Sequence, residues 1–188
     1  MRSTTAAQKA ARQPTPPPAP SFDDIYSSEV GYVWDCLRRL GVQSRDLEDL
    51  VHDTFVVVNR RLDDYDPRRA LRPWLYGIAM RIAADHRKSA RNRREVLLAE
   101  PPEAEERPAR PDEELASEQE RALVIEALDS LDFKNRAIFV MHDINEHTMA
   151  EAAAELEVPM ATLYSRLRAG REQFAAAVRR IRRSQGDA

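Results

Sequence analysis

Between Leu71 and Ala83 the apolar residues Leu71, Trp74, Leu75, Ile78, Ala79, Ile82 and Ala83 step by three and four. That is the period of a helix with one buried face. Pro73 falls in the first turn, where its missing N–H costs little, and the opposite face carries arginines. No segment alternates strictly as a half-buried strand would. With five glycines in 188 residues and 43% hydrophobic residues, the expected fold class is all-α, as two small helical domains.

Two further helices are expected before this one. From Phe22 to Leu40 the residues Ile25, Tyr26, Val30, Val33, Trp34, Leu37 and Leu40 share one face, and Gly41 follows as a stop. A second helix starts after Ser44 and runs to about Leu62, with Leu47, Leu50, Val51, Phe55 and Val58 inward. "DDYDPRRALRP" reads as a loop broken by Pro67. Three helices with short connections close one small core, giving a first module over residues 22–94.

The net charge of -3 hides a segregation. Pro67 to Arg94 holds nine basic residues against Asp85 alone, Glu95 to Glu120 holds ten acids against two arginines, and Thr162 to Arg183 holds seven arginines against Glu172. Two basic modules therefore flank an acidic connector. Residues 95–117, with Pro101, Pro102, Pro108 and Pro111, read as a flexible, self-repelling linker. Stretched, it would reach on the order of 75 Å, so the modules could dock at separate places. Residues 1–21, with "PTPPPAP" at positions 14–20, read as a disordered arm, and residues 184–188 as a tail.

The second module, residues 118–183, opens on an apolar stripe of Leu123, Val124, Ala127, Leu128 and Leu131. Asp132 can cap the next helix, which carries Ala137, Ile138, Val140 and Met141. In "HTMAEAAAELEVPMATLYSRLRAGRE", Thr148 and Glu151 form a capping box, Pro159 marks a tight turn, and a longer helix follows. Short helix, turn and longer helix make a helix-turn-helix, whose second helix enters the major groove. Thr162, Tyr164, Ser165 and Arg168 are placed to reach bases, and Arg166 and Arg171 to hold phosphates. Leu163 and Leu167 would face the core with Ala153 and Leu156. Glu157 stands where such a turn usually has glycine, at a cost of roughly 1 kcal/mol if φ is positive. The competing explanation of the arginines is a plain solvated helix face.

The order "LEDLVHDTFVVVNRRL", "RPWLYGIAMRIAADHRK", "ARNRR", then the acidic connector and "LDSLDFKNRAIFVMHDINEHTMAEAAAELEVPMATLYSRLRAGRE", resembles the extracytoplasmic-function group of bacterial sigma factors from about Phe22 to Ile181. The resemblance implies that the first module is sigma region two and the second is region four. It implies core RNA polymerase as a partner, with Asp46, Glu48, Asp49, Leu50, His52, Asp53 and Phe55 docking on the clamp helices of the largest subunit. His52 stands where the family usually has glutamine. An acidic ridge on a basic module suits a basic partner.

The same resemblance assigns minus-ten recognition and promoter melting to residues 62–94. Arg68, Arg69, Arg72, Arg81, Arg87, Lys88 and Arg91 would form a cationic track for the single strand, and Tyr65 would stack on an extruded base. Trp74 lies on the core stripe and is assigned to packing. Region four would read the minus-thirty-five element of promoter DNA through Tyr164, Ser165, Arg166 and Arg168 and dock on the polymerase flap. Tyr164 and Ala152 depart from the residues common in the family. An anti-sigma factor is a further implied partner.

No glycine-rich phosphate loop and no HExxH motif occurs. His142 and His147 with Asp143 and Glu146 are the one compact set of possible metal ligands, and they are expected to be surface groups rather than a metal site. No cofactor, no catalytic residue and no enzymatic activity are expected. Cys36 is the single cysteine, which excludes an internal disulfide and fits a reducing cytoplasm. No apolar run resembles a signal peptide or a membrane span, so membrane insertion is not expected. The alternative from another class is a homodimeric helix-turn-helix regulator reading paired half-sites. A protein–protein adaptor using only the acidic ridge would leave two basic clusters unexplained.

Overall fold

The computed structural model describes residues 20–96 and 112–186, with side chains over 20–91 and 120–184. The described elements are all helical: α1 Phe22–Arg39, α2 Ser44–Arg61, a short 3-10 turn Leu62–Asp64, α3 Leu71–Val96, α4 Asp112–Asp129, α5 Phe133–Phe139, α6 Met149–Leu156 and α7 Met160–Gly186. Between α5 and α6 the chain widens into a π-helical turn, Val140–Ile144. Among the described residues, no helix is long and apolar enough to cross a membrane.

Local chemistry sets the boundaries. Ser21 caps α1 by accepting from the Asp24 N–H, and Asp23 and Asp24 at its start and Arg38 and Arg39 at its end complement the helix dipole. Gly41 then turns the chain at φ +93°, a left-handed conformation that favours glycine. Asp132 caps α5 through the Lys134 N–H, as its sequence position indicates.

The connector differs from expectation at both ends. Helix α3 continues through Val96 and α4 begins at Asp112, so parts of 95–117 are helical; residues 97–111 lie outside the described residues. Helix α7 runs three residues past the expected end at Arg183, and the arm at 1–19 and residues 187–188 lie outside the described residues.

The two modules pack on each other. One apolar core joins Leu37, Leu47 and Phe55 of the first to Leu128, Ile138, Met141 and Leu163 of the second, with α3 between them. Residues 73–79 are all buried, a face wider than one stripe. Tyr26 and Trp34, expected inward, are 45% and 39% exposed, and Cys36 takes the inner place on α1. At the α6–α7 crossing Ala152 is fully buried, while Ala153 is only partly so. A smaller cluster of Ala127, Ala177 and Ile181 ties α4 to the far half of α7.

Candidate nucleic-acid interface

The helix-turn-helix is built as its sequence indicates. Thr148 Oγ1 accepts from the Glu151 N–H at 3.2 Å, and Glu151 Oε2 accepts from the Thr148 N–H at 2.8 Å, so both halves of the capping box are closed. The Thr148 backbone N–H, then its hydroxyl, hold the Glu151 carboxyl below the ordinary carboxylate range. Glu157 ends α6 at φ 54° and ψ 40°, the left-handed turn its position calls for. Leu163 and Leu167 anchor α7 in the core.

On the outer side of α7, Tyr164 is 54% exposed, and Ser165 and Arg168 are exposed beside it. Thr162 and Arg166 are half-buried. The Ser165 hydroxyl donates to the Thr162 carbonyl at 2.9 Å. Among the described residues Arg168 has no ion-pair or hydrogen-bond partner. Arg171 does: its guanidinium forks the Asp143 carboxylate with two 2.7 Å bonds, tying α7 to the π-helical turn.

The basic candidates of the first module divide more sharply. Lys88 and Arg91, near the end of α3, are exposed and unpaired among the described residues. Arg87 is exposed and lies over the Phe133 ring at 5.7 Å. Arg68 forks Asp66 at 2.9 Å, and those bonds pull the Asp66 carboxyl down to about 2. Arg72 pairs with Glu29 at 2.9 Å and lies over the Tyr32 ring. Arg69 pairs with Glu155, and Arg81 donates to the Glu155 carbonyl at 2.6 Å. Tyr65 is packed rather than displayed: it is 8% exposed, its ring lies 4.8 Å from that of Trp74, and its hydroxyl donates to the Arg69 carbonyl. Trp74 is a core residue, in keeping with its stripe.

On α2, Glu48, Asp49, His52 and Asp53 are exposed together, the acidic ridge the sequence suggests. Leu50 and Phe55 are buried beneath it and support it from the core. Asp46 is half-buried between Arg45 at 3.9 Å and His86 at 3.5 Å.

The histidine-bearing loop is taken up by protein contacts. His147 Nε2 lies 2.7 Å from Tyr32 Oη, His142 Nδ1 lies 2.8 Å from the His147 carbonyl oxygen, and Asp143 holds Arg171. Cys36 is fully buried, and burial pushes its thiol up to about 12. A thiol in that state is a packing group rather than a nucleophile.

Four contacts between the modules escaped the sequence: Arg69 with Glu155, Tyr32 with His147, the Tyr76 hydroxyl donating to the Ala137 carbonyl at 2.7 Å, and the Arg136 guanidinium donating to the Arg39 carbonyl. One signal was available. Met149, Ala152 and Glu155 are three apart on α6, so Glu155 occupies a buried-face position where a carboxylate needs a partner.

The comparisons agree in direction. The family described as Sigma-70 region 2 matches residues 25–93, and the one described as Sigma-70, region 4 matches residues 121–174. The RNA polymerase sigma factor CnrH of Cupriavidus metallidurans is 31% identical over 147 residues, 74% of this chain and 76% of that protein. The ECF RNA polymerase sigma factor SigE of Mycolicibacterium smegmatis is 30% identical over 156 residues, 82% of this chain and 60% of that one. Among solved structures, CnrH in complex with the cytosolic domain of CnrY superposes with a TM-score of 0.59 at 26% identity, covering 82% of this chain and 85% of that chain. The sigma factor RpoE in complex with the anti-sigma factor NepR from Bartonella quintana gives a TM-score of 0.66 at 17% identity, a likeness of fold, over 84% of this chain and 96% of that one.

Proposed function

This chain belongs to the extracytoplasmic-function sigma factors of RNA polymerase, and from that premise we propose that it acts in the cytoplasm by binding core polymerase and bringing it to promoters through two separate DNA elements. The observation that carries the proposal is the outer face of α7, where Tyr164, Ser165 and Arg168 stand exposed in the first turns of a recognition helix that Leu163 and Leu167 anchor in the core. A helix so placed presents its N-terminal residues to base edges in the major groove. Region four would read the minus-thirty-five element there, and its remaining surface would meet the polymerase flap.

Region two would supply the rest. The exposed Glu48, Asp49, His52 and Asp53 of α2 would dock on the clamp helices, and the α3 cations would track the minus-ten strand as it melts. Bond-making chemistry would then belong to the polymerase, and the chain itself would need neither a metal nor a cofactor. The solved relatives that are bound to CnrY and to NepR support an anti-sigma factor as a further partner.

The test is transcription by the purified chain with core bacterial polymerase on a pool of genomic promoter fragments. Specific initiation is expected, lost on Asp49→Lys through failure to form holoenzyme and on Arg168→Ala through failure to select promoters. A chain that forms no complex with core polymerase and binds symmetric duplex sites by itself would overturn the proposal in favour of a homodimeric regulator.

A further inference from the structure

The outer side of α1 carries an apolar ridge that no described residue covers. Tyr26 and Trp34 are exposed and Val30 between them is half-buried, so side chains spaced four residues apart line one edge of the helix. The Tyr26 ring lies 4.8 Å from that of Phe55, which places this edge along the seam between α1 and α2. Ser27 and Gly31, also four apart and both exposed, form a shallow groove beside the ridge. Gly31 has no explanation within the fold. It stands inside an 18-residue helix, where glycine is less favourable than alanine, yet a Cβ built on it would meet nothing within 4 Å. No described neighbour needs that space. A helix that keeps a glycine without an internal reason keeps room for something to lie against it.

We propose that the occupant is the chain's own proline-rich arm, which folds back so that residues 14–20 lie on Tyr26, Val30 and Trp34, and Lys9 and Arg12 meet the acidic ridge of α2. Chemistry, reach and charge all favour this occupant. The segment "PTPPPAP" suits a polyproline helix, and such segments dock on aromatic side chains because their shape is set before they bind. The arm joins α1 at Ser21, at the end of the helix that carries Tyr26. Residues 14–20 span about 22 Å as a polyproline helix, and the rise of α1 from Phe22 to Trp34 is about 18 Å, so the one covers the other. Residues 1–20 hold Arg2, Lys9 and Arg12 and no acid, while Glu48, Asp49 and Asp53 stand exposed on α2. Glu48 and His52 lie on the flank of α2 that carries Phe55, the residue whose ring meets Tyr26. Tethering makes even weak docking effective, since a short flexible connection holds the two partners at about millimolar concentration. The aromatic edge of α1 is thereby shielded from water, and the acidic ridge is partly neutralised.

Trp34 reports on the docking directly. The chain has two tryptophans and Trp74 is buried, so acrylamide quenches mainly Trp34, and residues 1–20 contain no aromatic side chain to add a signal of their own. The experiment compares the full chain, a chain lacking residues 2–19 and full-length Gly31→Gln, with circular dichroism to check that helix content is retained. The expected result is weak quenching in the full chain and quenching at least about threefold stronger in the truncated one, as for a tethered segment that is mostly docked. A synthetic peptide of residues 9–20 should protect Trp34 of the truncated chain with a Kd of about 0.1–1 mM that weakens with added salt. Gly31→Gln should melt at a higher temperature yet quench like the truncated chain, because its side chain favours the helix while filling the groove. Equal quenching in the full and truncated chains would overturn the proposal. Protection of Trp34 that appears only together with a doubled mass in sedimentation would overturn it in favour of a second copy, and protection only on addition of core polymerase would give the ridge to that partner. A Gly31→Gln chain protected as well as the wild type would overturn the place assigned to the arm.

Discussion

Glu157 shows how much one backbone conformation can hold. At φ 54° and ψ 40° an L side chain crowds the next carbonyl, at a cost of about 1–2 kcal/mol. Little is recovered, because its side chain is 82% exposed and its 3.4 Å pairing with Arg81 is a surface ion pair worth at most about 1 kcal/mol. Glu157→Gly should therefore raise stability by about 0.5–1 kcal/mol, or roughly 1–4 °C in Tm, despite the greater freedom of glycine in the unfolded chain. Glu157→Ala keeps the Cβ and should leave Tm nearly unchanged; thermal melts in which the glycine variant gains no more than the alanine variant would place the strain elsewhere. The sequence pointed to this position because a helix-turn-helix fixes where its left-handed residue falls. Glu146, at φ 59°, gave no such warning, since it follows a π-helical turn that no local pattern announces. Gly41 lies between these cases. Its place after α1 marked it as a stop, yet the structure adds a second reason, because a Cβ there would come within 2.7 Å of the buried Arg136 guanidinium.

Helix α6 has only eight residues, too few to be stable alone, so its capping box matters out of proportion to its size. Thr148→Ala leaves the Glu151 N–H without its side-chain acceptor and should destabilise the protein by about 1 kcal/mol. Urea unfolding should show a lower midpoint at an unchanged slope; an unchanged midpoint would mean that packing alone holds α6. Because Glu151 is held below the ordinary carboxylate range, its share of the cap is present above that range and lost as pH falls through its lowered value. Caps, and single-sided stripes such as that of α2, were legible because they depend on residues three to eleven apart. The inward set Leu47, Leu50, Val51, Phe55 and Val58 is buried as expected. Helix α3 was legible in its stripe and not in its width. Tyr76 and Gly77 lie off the stripe, and they are buried because a second module covers a second face, which no period within α3 can encode.

That cover is a property of the whole chain, and it explains why the individual residues of the candidate site were easier to name than their arrangement. Arg69, Arg72 and Arg81 were identifiable as cations from spacing and charge; that Glu29 and Glu155 pair with them depends on contacts 43 to 86 residues away in sequence. The same packing gives the interface a titratable centre. His147 is 9% exposed, with Nε2 2.7 Å from Tyr32 Oη of α1 and its ring near Tyr76 of α3. Burial lowers its pKa below the ordinary imidazole value, Arg72 lowers it further, Glu151 opposes the shift, and His142 lies on its carbonyl. Parting the modules would return the ring to water and restore an ordinary pKa near 6.5. The closed state therefore binds fewer protons than the open one, so closure is fully favoured above about pH 6.5 and weakens as pH falls below it toward the lowered value. Small-angle scattering of the free chain should show a radius of gyration that grows between about pH 7.5 and pH 5.5, a window set by the imidazole and lying above the carboxylate range. His147→Gln keeps a polar side chain without the proton and should flatten that dependence; an equal expansion in the variant would assign the pH response to another group.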